Sequence, residues 1–311
     1  MTVMESTRET YGDTLAELGE VYPELVVVDA DLSVSTQTIR FFKKFPERFV
    51  NVGCAEQNLV GTAAGLAVGG KTVFASSYAI FVCRAWEQIR NTIAHDKLNV
   101  KIVVTHAGLS NAPDGASHQA LEDIAIFRVI PHMRVIVPAD AVQTKAAIRF
   151  EASHKGPAYI RLNREKTPRI FESDYQFNDN AIVLREGADV AIVATGTTVY
   201  EALKASAQLQ KEQISAEVIE VHTIKPLDRR SIIKAAKECG HVLTVEEHNR
   251  MGGLGSAVGE VLCEQTPVPL KILGIDDRFG ETGQYPELFH KYQISDTFIE
   301  HEVKTLLAQN K

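Results

Sequence analysis

The chain has 311 residues, 45% of them hydrophobic and 23% charged, a balance that supports one large or two medium domains with buried cores and argues against disorder. With 40 Asp plus Glu against 33 Lys plus Arg, the formal charge is −7, so nucleic acid is not an expected partner. No apolar run is long enough to span a bilayer and residues 1–20 hold no apolar signal core, so no membrane association is expected and the location is read as cytoplasmic.

Short β-branched runs recur along the first half, at residues 24–29, 49–52, 71–74, 101–105, 134–137 and 158–162, each followed by turn residues and a helical pattern. Continuous apolar strands alternating with helices predict parallel sheets covered on both faces. Around Glu172 to Asn180 the rhythm lapses, then restarts at 189–194. Further strands are predicted at 216–221, 241–246 and 269–275, with helices near 199–210, 229–238 and 256–263. The expected fold is therefore α/β, with two doubly wound, mostly parallel-sheet domains at 1–170 and 187–311, joined by a linker at 171–186. Cys54, Cys83, Cys239 and Cys263 are widely spaced, which predicts neither a disulfide framework nor a zinc site, and they read as small buried apolar residues. No metal ligands are expected in this chain.

In such sheets ligands bind beyond the carboxyl ends of the strands. The first domain is rich there: Asp29-Ala-Asp31-Leu-Ser-Val-Ser35, Gly53-Cys-Ala-Glu56-Gln, Ser76-Ser-Tyr78-Ala-Ile-Phe81, Thr105-His106-Ala-Gly and Asn163-Arg164 all follow predicted strands. Read singly, Glu56 is a first-turn glutamate favoured by the helix dipole. Asp31 reads equally as a turn residue, Phe81 as core, and the arginines as solvated surface.

Taken together the motifs say more. Gly-Cys-Ala-Glu56-Gln before a helix of small residues resembles the pyrimidine-binding domain of the transketolase family of thiamine diphosphate enzymes. The resemblance implies that Glu56, held in a dry apolar pocket with a raised pKa, hydrogen-bonds a pyrimidine ring nitrogen and so activates the cofactor. Tyr78-Ala-Ile-Phe81 resembles the segment in which an aromatic ring, here Phe81, stacks on the aminopyrimidine with Tyr78 beside it. Arg84 agrees better with the related deoxyxylulose-phosphate synthases, and Trp86 reads as core. Asp31 is similar to an aspartate near the thiazolium side of the cofactor. His106, Asp114 and His118 match transketolase spacing and imply contact with sugar hydroxyls and phosphate, with His106 and His118 assisting proton transfers. The middle of that segment, residues 109–113, departs from the common transketolase version, which implies an altered donor or acceptor preference. Arg8, Ser35, His106 and Arg164 together imply a substrate phosphate site, suited by the planar arginine fork.

In the second domain Lys225-Pro-Leu-Asp228, Glu246-Glu-His248 and Gly252-Gly-Leu-Gly255 resemble the family's carboxy-terminal domain. The glycine run lacks dinucleotide-binding spacing and reads as tight turns and interface, with Glu247 or His248 as a further candidate to approach the site. The family's diphosphate-binding signature, Gly-Asp-Gly followed by Asn, is absent: Gly12-Asp13 is followed by Thr14 in a predicted helix. The resemblance therefore implies the carboxy-terminal subunit of a split transketolase, transferring a two-carbon ketol unit between sugar phosphates. A separate amino-terminal subunit would bind the thiamine diphosphate tail with Mg2+ or Ca2+, and self-association to a dimer would give a heterotetramer. The beta subunit of a 2-oxoacid dehydrogenase, a split synthase-like enzyme and a non-catalytic scaffold subunit are the other readings.

Overall fold

A computed structural model describes residues 3–308. In chain order the strands are β1 (Met4–Glu5), β2 (Leu25–Asp29), β3 (Phe49–Asn51), β4 (Thr72–Tyr78), β5 (Val100–Thr105), β6 (Arg134–Ile136), β7 (Ala158–Arg161), β8 (Thr167–Pro168), β9 (Ile182–Arg185), β10 (Val190–Ala194), β11 (Ala216–Glu220), β12 (Thr223–Lys225), β13 (Val242–Asn249) and β14 (Leu270–Ile275). They form one sheet of order β12-β6-β7-β5-β4-β2-β3 and another of order β14-β13-β10-β11-β9, with β1 and β8 as a separate antiparallel pair. The α/β expectation is met: β6, β7, β5, β4, β2 and β3 pair in parallel throughout, as do β14, β13, β10 and β11. Every residue of β2, β5, β7, β10 and β11 is buried, because helices cover both faces of each sheet.

Two pairings depart from the expected rhythm. β9 closes the second sheet as an antiparallel edge, and β12, from the second half of the chain, adds antiparallel to β6 of the first sheet. The main core correspondingly runs across both halves, with Ala63, Val135 and Tyr159 in the same cluster as Val193, Ile219 and Val258. Of the cysteines only Cys239 is buried; Cys83 is half-buried, and Cys54 and Cys263 are exposed, because both exposed thiols lie at helix ends rather than under a sheet. Among the described residues no helix is long and apolar enough to cross a membrane.

The stretch following β8 is tied down by buried polar groups. Asp140 caps the Ala141–Ser153 helix through Gln143 N–H at 2.8 Å, and its other oxygen accepts from Ile170 and Phe171 N–H at 2.7 and 2.8 Å. His222, fully buried, lies with Nε2 2.6 Å from Asn178 O and Nδ1 2.8 Å from Glu220 Oε2, which also accepts from Gln143 Nε2 at 3.1 Å. Both ring nitrogens thus face acceptors, an arrangement that favours the charged imidazolium over the neutral ring. Burial opposes that charge, but Glu220 and the Asn178 carbonyl outweigh it and raise the His222 pKa above 6.5.

The folded chain therefore holds this proton more tightly than the unfolded chain. The pair contributes its full stabilisation below pH 6.5 and loses it as pH rises through the raised value. Melting curves of the native chain and of His222→Gln, followed from about pH 6 to about pH 9, should converge at the alkaline end. A gap independent of pH would show that the ring is neutral.

Candidate active site

β4 and β5 run in register with Tyr78 opposite Thr105, so the residues at and beyond their carboxyl ends meet. Just past β5, His106 adopts φ +59 and its ring stacks on Tyr78 with centroids 3.9 Å apart at 22°. Phe81 stacks on Tyr78 at 5.3 Å and 15°, and His118 meets Phe81 edge-on at 5.3 Å and 71°. The four rings form one row, His106–Tyr78–Phe81–His118, in which both contacts of Phe81 have centroid spacings typical of aromatic pairs and the His106–Tyr78 stack is closer.

His106 is 3% exposed, and Thr105 Oγ1 lies 2.8 Å from its Nδ1. Burial first, then the charges of Arg8 and Arg164 and the neighbouring His118, push its pKa down to about 3. The ring is therefore neutral at physiological pH. A neutral imidazole brings no charge to the expected phosphate site and can take part there only by hydrogen bonding.

Arg8, Ser35 and Arg164 come together through main-chain contacts. Arg8 donates from Nε to Arg164 O at 3.3 Å and from Nη1 to Ser35 O at 2.9 Å. Much of the Arg8 fork thus fastens the other two residues. Arg164 itself donates its N–H to Ser110 Oγ at 3.1 Å and makes a long contact from Nη1 to Asn111 Oδ1 at 3.4 Å.

Glu56 opens the Glu56–Val68 helix, which packs against the segment bearing Phe81. It is half-buried, so the enclosed dry pocket expected around it is not formed by this chain, whose helix start lies at an open rim. Asp31 is on the same rim, exposed at φ +64, and accepts from Asn51 Nδ2 at 2.9 Å. The buried aspartate of that turn is Asp29, which fixes the turn through Leu32 N–H at 2.6 Å and the Thr36 and Thr38 hydroxyls at 2.8 Å each. Asp114 and Arg84 are exposed, and Trp86, half-buried against the core, donates to Ile126 O at 2.7 Å.

Residues 4–169 match the family model of the transketolase pyrimidine binding domain, and residues 179–299 match that of the transketolase C-terminal domain. The chain belongs to the transketolase family. A Methanocaldococcus jannaschii protein described as a transketolase C-terminal section is 51% identical, over 94% of this chain and 93% of that protein. A 6-deoxy-6-sulfo-D-fructose transketolase subunit of a Clostridium species is 41% identical over 93% of this chain and 90% of its own length. Among solved structures, one described as a split gene transketolase, inactive beta4 tetramer, superposes with a TM-score of 0.89 at 47% identity, covering 98% of each chain.

This transketolase-family chain is thus a transferase subunit, and its domains imply dependence on thiamine diphosphate. Its residues fit one end of that cofactor: a half-exposed Phe81 ring offers a flat apolar face, next to a helix that begins with a carboxylate. Among the described residues no three His, Cys, Asp or Glu side chains gather as a metal-binding group.

The second domain of this transketolase-family chain contributes more than the sequence shows. Buried Glu247 accepts from Leu109 N–H in the loop between His106 and His118, at 2.6 Å, and from Thr197 Oγ1 and Tyr285 OH at 2.6 and 2.9 Å. Thr197 and Tyr285 carried no signal in the sequence, since neither belongs to a motif. His248 turns elsewhere, with Nε2 accepting from Ala125 N–H at 3.3 Å and Nδ1 lying 2.6 Å from Asn249 O. Burial lowers its pKa to about 4, in keeping with a neutral ring that donates from Nδ1. Glu246 caps the Leu254–Gln265 helix through Leu254 and Gly255 N–H at 2.7 and 2.8 Å. A Cβ on Gly253 would collide with that carboxylate, which explains the glycine run without a nucleotide.

Proposed function

We propose that this chain is the carboxy-terminal subunit of a thiamine diphosphate-dependent transketolase that moves a two-carbon ketol unit from a ketose phosphate to an aldose phosphate in the cytoplasm. It acts with an amino-terminal subunit that holds the cofactor's diphosphate and its Mg2+ or Ca2+, and two-fold pairing of both chains gives a heterotetramer. The observation that carries the reading is the row His106–Tyr78–Phe81–His118 at the strand ends, with the Arg8 and Arg164 charges acting on His106. The relative described as an inactive tetramer of beta chains supports the need for a second subunit. The open rim at Asp31 and Glu56 offers that subunit a place to close the pocket.

When bound, the cofactor supplies a nucleophilic carbon and an electron sink for the two-carbon fragment. This chain's own residues do the positioning. Glu56 holds a proton at a pyrimidine ring nitrogen, Phe81 offers the flat face for that ring with Tyr78 beside it, and Asp31 borders the thiazolium side. Neutral His106, with His118, exchanges protons with sugar hydroxyls, and Asp114 orients one of them. Arg164, with Arg8 and Ser35, receives the phosphate through charge-assisted hydrogen bonds.

The test is to purify the chain gently from its native cells with thiamine diphosphate and magnesium, identify the chain that copurifies in equal amount, and assay ketol transfer. A copurifying chain bearing Gly-Asp-Gly and transfer between sugar phosphates is the expected result. In that complex Arg164→Ala should raise KM for the phosphorylated ketose about 10- to 100-fold with a smaller effect on kcat. Consumption of pyruvate with no transfer from any ketose phosphate would overturn the proposal.

A further inference from the structure

The loop bearing His106, Asp114 and His118 is closed at its base, where Gly108 N–H donates to Ala120 O at 3.0 Å. Its middle does not face solvent or the ring row. Leu109, Ser110 and Asn111 are fully buried, and Leu109 and Ala112 belong to the core cluster of the second domain.

Three polar contacts hold this loop from that domain. Leu109 N–H donates to Glu247 Oε1 at 2.6 Å, Gly283 N–H donates to Ala112 O at 3.2 Å, and Gln119 Nε2 donates to Glu281 O at 3.1 Å. The fit at Glu247 is the tightest: Gly108 sits at φ +61, and a Cβ there would lie 2.5 Å from Glu247 Oε1. The other Glu247 oxygen is bound by Tyr285 OH, which accepts in turn from Asn163 Nδ2 at 2.9 Å, one residue before Arg164.

We infer that the second domain sets the geometry of the substrate loop through Glu247, a positioning residue that touches neither cofactor nor sugar. Apart from exposed Pro113, the departure at residues 109–113 is then read by the second domain, through burial, rather than by the sugar. The link to substrate rests on the ketol-transfer reading; the link to the loop does not.

Hydrogen exchange read by mass spectrometry on the full chain separates the two. In Glu247→Ala, exchange across residues 106–119 should rise about fivefold or more while β5 and β10 stay protected. Glu247→Gln, whose amide oxygen still accepts from Leu109 N–H, should restore slow exchange. In the assembled complex the Ala variant should lose about 10- to 100-fold in kcat/KM, and the Gln variant should recover to within about threefold. If the Ala variant does not fold, Tyr285→Phe, which removes one donor to Glu247, should show the same rise in smaller measure. Unchanged exchange overturns the inference whatever the kinetics. Faster exchange with unaltered kcat/KM in an active complex overturns its link to substrate. A native complex that transfers no ketol unit counts against the proposed function, and the exchange result still decides the role of Glu247.

Discussion

Replacement of Glu56 by Gln is expected to lower kcat of the assembled enzyme about 100- to 10,000-fold, the range that a lost general acid–base group commands. Gln keeps the size and one hydrogen bond but cannot hold a transferable proton, so the loss should appear in turnover rather than in cofactor affinity. Stability should hardly change. Glu56 is half-buried at the first position of its helix, where a charge favoured by the dipole contributes roughly 0.3–1 kcal/mol. Steady-state turnover in the complex, set beside the melting temperature of the chain alone, checks both halves. Turnover within about threefold of native would remove Glu56 from the chemistry.

The largest stability effect is expected at Arg161, at the end of β7. Its side chain is buried, donating from Nε to Asp123 Oδ2 at 2.8 Å and from Nη2 to Ala120 O and Glu247 O at 3.3 and 3.0 Å. Asp123 is also buried and accepts from Tyr159 OH at 2.7 Å. Arg161→Ala strands that carboxylate in the interior together with two carbonyls, and removing one partner of a buried pair costs about 3–5 kcal/mol. Chemical denaturation should show a loss of that size, a large share of a typical domain's 5–15 kcal/mol. Pairing Arg161→Met with Asp123→Leu should cost clearly less than the sum of the single changes, because no lone charge is left. Strict additivity would show that the two groups are not coupled.

The long parallel strands were legible because a strand buried on both faces must be an unbroken apolar run, as Leu25-Val-Val-Val and Val190-Ala-Ile-Val are. β1, β8, β9 and β12 were not legible, since two to four residues carry no period and their places are set by a distant partner rather than by their own side chains. In the site, Tyr78, Phe81, His106 and His118 stood out only through their resemblance to family motifs, since read singly Phe81 is core and a loop histidine is surface; the structure brings the four rings into one row. The neutrality of His106 could not be read, because it depends on burial and on Arg8 and Arg164 lying near in space. Nor could the grip of Glu247 on Leu109, a hydrogen bond spanning 138 positions of chain.

β12 gives the molecule a seam that does not coincide with its division into two sheets. Thr223 and Lys225 are laddered to β6, and Lys225 Nζ reaches back to Arg128 O at 2.8 Å. A first half severed before this strand would keep β6 as a bare edge, its unpaired amides free to recruit a foreign strand. Chimeras assembled by exchanging halves between relatives therefore inherit a matching problem. The incoming half must bring a β12 complementary to the resident β6, so the workable crossover is defined by a ladder and not by the polar stretch between the sheets.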